Sequence, residues 1–113
     1  MALENLNRYR EALDIYNKII KLNPNDPDAY YSKSAALNIL ESYNEAIKAC
    51  DKATKLDPNN SYGYLIKCEA LLHLNLLEDA IETINKAIEL NRENVIFQNI
   101  KRDIEKEFQK GKS

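Results

Sequence analysis

The amino-acid sequence predicts an all-α fold of stacked helical hairpins, and three observations carry that prediction. A 34-residue period runs through the chain: Pro24 and Pro58, then Ala12, Ala46 and Ala80, then Leu22, Leu56 and Leu90 recur at that interval. Matches at small, aromatic and breaker positions in one register mark an internal repeat. Within each period the apolar residues fall at helical spacing. Asp26-Pro27 supplies a helix start, because Asp caps free N–H groups and Pro is tolerated in the first turn.

The elements follow in order. The first unit has its second helix, Arg8–Leu22, and only a stub of its first, Ala2–Leu6. From Asp26 a helix carries Tyr30, Ser34, Leu37 and Glu41 on one face. Ser42-Tyr43-Asn44-Glu45 reads as a capping box opening the next helix, where Ala46, Cys50, Ala53 and Leu56 are helically spaced before Pro58 closes the unit. The following unit repeats this with Tyr64, Cys68 and Leu71, then Asn75 before Glu78, then Ala80, Ile84, Ala87 and Leu90. Small residues at Ser34 and Ala46, and at Cys68 and Ala80, let the helices of each hairpin approach closely. In the tail, Phe97, Ile100, Ile104 and Phe108 share one face and Lys101, Arg102, Glu105 and Lys106 lie largely elsewhere. That is an amphipathic helix of the kind that caps a repeat array. The organisation expected is a single domain over 1–113: a partial repeat over 1–26, repeats over 27–60 and 61–94, a capping helix over 95–110, and a frayed end at Gly111-Lys112-Ser113.

This pattern resembles the tetratricopeptide repeat (TPR) family, over about residues 1–94. The first aromatic of the family pattern is Tyr30 and Tyr64, and the Gly place holds Ser34 and Cys68. The central Ala is Ala12, Ala46 and Ala80. The later aromatic is kept as Tyr16 and replaced by Cys50 and Ile84. The later Ala is Ile19, Ala53 and Ala87. The closing Pro is Pro24 and Pro58, with Arg92 in the third place. Lys33 and Lys67 replace the Leu beside the Gly. The resemblance implies a right-handed α-solenoid of helix–turn–helix repeats that acts as a scaffold for protein binding. The first helix of each pair then lines a concave groove that takes a peptide or helical segment of a partner.

Composition narrows the function. The chain has 113 residues, with 16 Lys and Arg against 18 Asp and Glu, a formal net charge of -2. Nucleic-acid binding needs a cationic surplus that is not there. Gly63 and Gly111 are the only glycines, which excludes a phosphate-cradling Gly-rich loop. No apolar run approaches the roughly 20 residues of a membrane span, and the N-terminus lacks a signal-peptide core. Cys50 and Cys68 lie on core stripes, too far apart for a redox or metal pair. His73 is the only histidine, so no metal site is expected, nor is a base–nucleophile pair. The expected protein is non-catalytic and cofactor-free. Its expected setting is cytoplasmic, in a reducing compartment inside the cell.

The candidate groove residues are Tyr31, Ala35, Asn38 and Ile39 in the first full unit. In the second they are Tyr62, Leu65, Ile66, Glu69, Leu72 and His73. Leu65 and Leu72 are equally suited to packing between helices. Tyr31 and Tyr62 are the better anchors, since Tyr is favoured at interfaces. Some TPR co-chaperones grip acidic chaperone tails with a clamp of Lys, Arg and Asn. Here the helix that carries the first Lys and Asn is nearly absent, and Ser32, Tyr62 and Ile66 stand at the later clamp positions. The inventory of this face, with the clamp residues missing, therefore points to a protein segment with apolar or aromatic anchors and not to an acidic tail. Two other roles are compatible with the chain: a homo-oligomer built through the repeat ends, and a regulatory segment of a larger enzyme.

Overall fold

A computed structural model describes residues 2–112 of the chain. Among these the fold is six α-helices, α1 (Leu3–Leu22), α2 (Pro27–Ile39), α3 (Tyr43–Leu56), α4 (Ser61–His73), α5 (Leu77–Leu90) and α6 (Val95–Lys112). They stack as an all-α helical-repeat solenoid, elongated to 47 × 32 × 20 Å. Each helix packs on its chain neighbour, and α2 also touches α4.

The helix starts repeat as the caps do. Asp26 Oδ1 accepts the Asp28 N–H at 3.0 Å, Asn60 Oδ1 the Tyr62 N–H at 3.1 Å, and Asn94 Oδ1 the Phe97 N–H at 3.1 Å. These caps stand 34 residues apart and satisfy donors that the first helical turn leaves open. Tyr30 Oη and Tyr64 Oη each donate to the carbonyl of a helix-closing proline, Pro24 and Pro58, at 3.1 Å. The same aromatic thus ties each hairpin to the end of the one before it.

The hairpin turns differ from expectation. Ser42 precedes α3 but makes no side-chain cap, so the capping box does not form; Leu76, not Asn75, is the residue before α5, and it is uncapped as well. Each turn is closed from the helix before it. Glu41 and Asn75 adopt left-handed φ values of 63° and 59°. The N–H of the next residue then reaches back, Ser42 to Leu37 O at 2.8 Å and Leu76 to Leu71 O at 2.9 Å. This is a Schellman closure, which satisfies the orphan carbonyls at the helix C-terminus.

The core runs along the stack. Ala46, Cys50 and Ala53 in α3, and Ala80, Ile84 and Ala87 in α5, are fully buried. Ser34 and Cys68 lie opposite them. Ser34 Oγ donates to Ala46 O at 2.8 Å, whereas Cys68 Sγ stands 3.7 Å from Ala80 O. Both cysteines are free thiols and buried. Burial raises both pKa values, Cys68 to about 11 with a smaller contribution from the charge of Glu69.

The two ends depart from the sequence reading in different ways. Residues 3–22 form one continuous helix with no buried residue, so the stub does not turn back on Arg8–Leu22. Leu3, Ile15, Ile19 and Leu22 are exposed. Their register mates Leu37, Ala49 and Ala53 are buried and Leu56 is half-buried, because in those hairpins a preceding helix covers them. At the other end α6 lays Phe97 and Ile104, both buried, on the core with Ile100 beside them. It continues through Gly111 and Lys112, past the expected frayed boundary; Ser113 lies outside the described residues.

Candidate partner-binding face

Helices α2, α4 and α6 succeed one another at the repeat interval, so equivalent residues form rows across them. One row is Asp28, Tyr62 and Ile96; the next are Tyr31, Leu65 and Asn99, then Ala35, Glu69 and Asp103, then Asn38, Leu72 and Lys106. Of the twelve positions in these rows only Tyr31 is buried, the rest being half-buried or exposed.

The structure divides the ten expected groove residues into two sets. Tyr31 leaves the surface: it is 7% exposed, packs with Cys50 and Ala53, and donates from Oη to Asp57 O at 2.9 Å. Its anchor role is therefore corrected to a packing role. Burial pushes its phenol up to about 12. The physical reason is the bare Gly63 on α4. A Cβ there would stand 2.8 Å from Tyr31 Cζ, so the absent side chain makes room for the ring. Leu65 and Leu72 pack on the α4–α5–α6 core, and Ile66 beside Tyr31, each only partly covered. Asn38 bridges the row, its Nδ2 donating to Ile66 O at 3.0 Å, with its Oδ1 buried and unbonded among the described residues. Ala35 and Ile39 are half-buried.

What stays accessible is a smaller set. Tyr62 is 61% exposed and Glu69 and His73 are exposed. The Tyr62 ring stands edge-on to Phe97 at 5.9 Å between centroids, which fixes it against α6. His73 stacks on Tyr43 at 4.6 Å and 6°, so its ring is braced by α3. The sequence reading missed Ile96, 66% exposed, and Asp103, also exposed. The signal was present, since Ile96 is one period beyond Tyr62 and Asp103 one period beyond Glu69. Treating the last helix as a cap alone hid it.

Other features are subordinate. A cleft of about 560 Å3 opens where α3 and α5 meet α4, spanned by an ion pair of Lys67 and Asp51 at 2.8 Å. Among the described residues no three His, Cys, Asp or Glu side chains are grouped to hold a metal ion, and no helix is long and apolar enough to cross a membrane.

Comparison with known proteins agrees with this geometry. Two sequence profiles described as tetratricopeptide repeat match residues 1–61 and 37–104. No curated protein sequence matches. The first TPR of Spaghetti (RPAP3) bound to the HSP90 peptide SRMEEVD superposes with a TM-score of 0.87 at 25% identity, covering 91% of this chain and 82% of that one. The first TPR domain of human RPAP3 gives 0.86 at 25% identity, over 95% and 89%. The TPR2B domain of yeast Sti1, in complex with an Hsp70 peptide, gives 0.74 at 31% identity, over 88% and 79%.

Proposed function

The chain belongs to the tetratricopeptide repeat family, and from that premise we propose that it is a non-catalytic protein-interaction module that binds a partner segment on the α2–α4–α6 face. The observation that carries this reading is the exposed apolar pair Tyr62 and Ile96, one period apart on adjacent helices. An aromatic and a branched aliphatic side chain held on rigid helices suit an interface at low entropic cost.

The partner differs from an acidic tail. Ser32, Tyr62 and Ile66 stand at the later Asn, Lys and Arg positions of a clamp and supply none of those side chains. Apolar anchors bind by removing area from water, about 25 cal/mol per Å2 before association costs. A face this small supports an affinity near micromolar, about -8 kcal/mol.

The test is peptide display against the intact chain, followed by anisotropy titration of the selected peptides with the Tyr62→Ser/Ile96→Ser double variant. Both side chains are exposed, so the variant should keep its circular dichroism and melting behaviour. We expect at least a tenfold loss of affinity; unchanged affinity in the folded variant would move the site elsewhere.

A second reading rests on α1. Its exposed Ile15, Ile19 and Leu22 favour self-association of copies through this end. Sedimentation of the chain at high concentration checks it, and a monomer there removes it.

A further inference from the structure

Taking the α2–α4–α6 face as the partner site, we propose that its occupant is an extended segment with a bulky apolar residue and, about three residues away, a lysine or arginine. The inference rests on that functional reading and adds the charge of the partner.

Two exposed rows carry it. Tyr62 and Ile96 form an apolar shelf in the first turns of α4 and α6. Seven residues further along the same helices stand Glu69 and Asp103, again one period apart and again exposed. Two carboxylates thus sit at one register on neighbouring helices. Neither makes an ion pair or a side-chain hydrogen bond among the described residues. Asp28 adds a third carboxylate at the end of the shelf. The basic side chain nearest in register is Lys106, one turn beyond Asp103. The face is therefore apolar at one edge and anionic two rows further on, with three carboxylates against one lysine in the four rows.

Geometry sets the spacing. Seven residues of α-helix rise about 10 Å. An extended peptide advances about 3.3 Å per residue, so three residues span the same distance. An anchor on the shelf then brings the side chain three positions on over the carboxylate row. A cation there gains attraction to Glu69 and Asp103, while an acidic residue is rejected by the same field. The contacts are solvent-exposed, so each contributes modestly and their sum falls with salt. Charge on this face thus acts on selectivity more than on strength.

The experiment uses the full chain and synthetic peptides with one scaffold: a Leu anchor followed at the third position by Arg, Gln or Glu, and the acidic peptide SRMEEVD as a further probe. We expect the Arg peptide to bind about threefold to tenfold tighter than the Glu peptide in low salt, the gap closing in high salt. In the Glu69→Lys/Asp103→Lys variant the order should invert, with SRMEEVD gaining affinity. Both positions are exposed, and unchanged circular dichroism verifies the fold. Equal binding of the Arg and Glu peptides, or an order untouched by the charge reversal, overturns the proposal. If these peptides still lose affinity in the Tyr62→Ser/Ile96→Ser variant, the face itself stands and only the charge assignment fails. If none of them responds to that variant, both readings fall.

Discussion

The hairpins α2–α3 and α4–α5 share one frame and fill it differently. Caps, tyrosine ties and left-handed turn residues superimpose at the repeat interval, yet the contacts to the next helix are built from opposite sizes. In the first hairpin a large Tyr31 meets Gly63. In the second a smaller Leu65 occupies the Tyr31 register, and Phe97, at the Gly63 register, fills the junction with α6. Ser34 and Cys68 make the same comparison inside the hairpins, one a 2.8 Å hydrogen bond and the other a buried thiol at 3.7 Å. The backbone period is thus a constraint on summed volume at each junction, not on residue identity, as close packing requires.

The sharpest way to break the comparison is Gly63→Ala. Helix propensity alone favours Ala by about 1 kcal/mol. Against it, the new methyl overlaps a ring held by burial and by its bond to Asp57 O. Overpacking of this kind costs about 1–3 kcal/mol, and displacing Tyr31 forfeits its hydrogen bond, about 1 kcal/mol more. The expected net loss is about 1–3 kcal/mol in urea unfolding. In a Tyr31→Leu background, which imitates the second junction, Gly63→Ala should become neutral or stabilising. A loss of the same size in both backgrounds would mean that the ring does not set the requirement for glycine.

Alkaline unfolding gives an effect of comparable size and separates the junctions by chemistry. Tyr31 is held neutral, its pKa raised from about 10 to about 12 by burial, and Leu65 has no proton to lose. Between those values the unfolded chain releases a proton that the folded chain keeps. Stability is therefore intact below about pH 10, falls as pH rises towards 12, and levels beyond it. The full loss is roughly 3 kcal/mol. Tyr31→Phe should cost about 1 kcal/mol at pH 7 through the lost bond to Asp57 O, and this gap should shrink as pH rises above 10. A residual slope remains from Cys50 and Cys68, whose pKa values are raised in the same direction. A wild-type curve parallel to that of Tyr31→Phe through pH 11 would contradict the burial argument.

Much of this was legible in the residues themselves, and the exceptions have a common cause. Periodicity placed the helices, Asp26 capped α2, and the cysteines lay on buried stripes as expected. What failed depended on neighbours outside the local pattern. Tyr31 and Tyr62 look alike on a helical projection, but Tyr31 faces Gly63 on the next first-type helix and sinks, whereas Tyr62 meets Phe97 and stays out. Ser42 and Glu45 fit a cap by spacing, but the left-handed Glu41 had already closed the turn. The segment of residues 2–7 matches the end of a first helix and its turn, with Leu3 and Asn7 in register with Leu37 and Glu41. Among the described residues no earlier helix packs on it, and residues 3–22 run on as one helix.

The finest comparison lies in the two turns. Glu41 and Asn75 hold the same left-handed conformation, at φ 63° and 59°. For an ordinary L-residue that conformation costs about 1–2 kcal/mol, while Asn visits it more readily through its short polar side chain. Glycine removes the steric cost but adds back some chain entropy on unfolding. Glu41→Gly should therefore stabilise the chain by about 0.5–1 kcal/mol, and Asn75→Gly by a few tenths at most. Urea midpoints with unchanged slopes measure both. Equal gains at the two turns would show that side-chain identity is immaterial there, and a loss at Glu41 would mean that its carboxylate contributes more than the backbone strain it imposes.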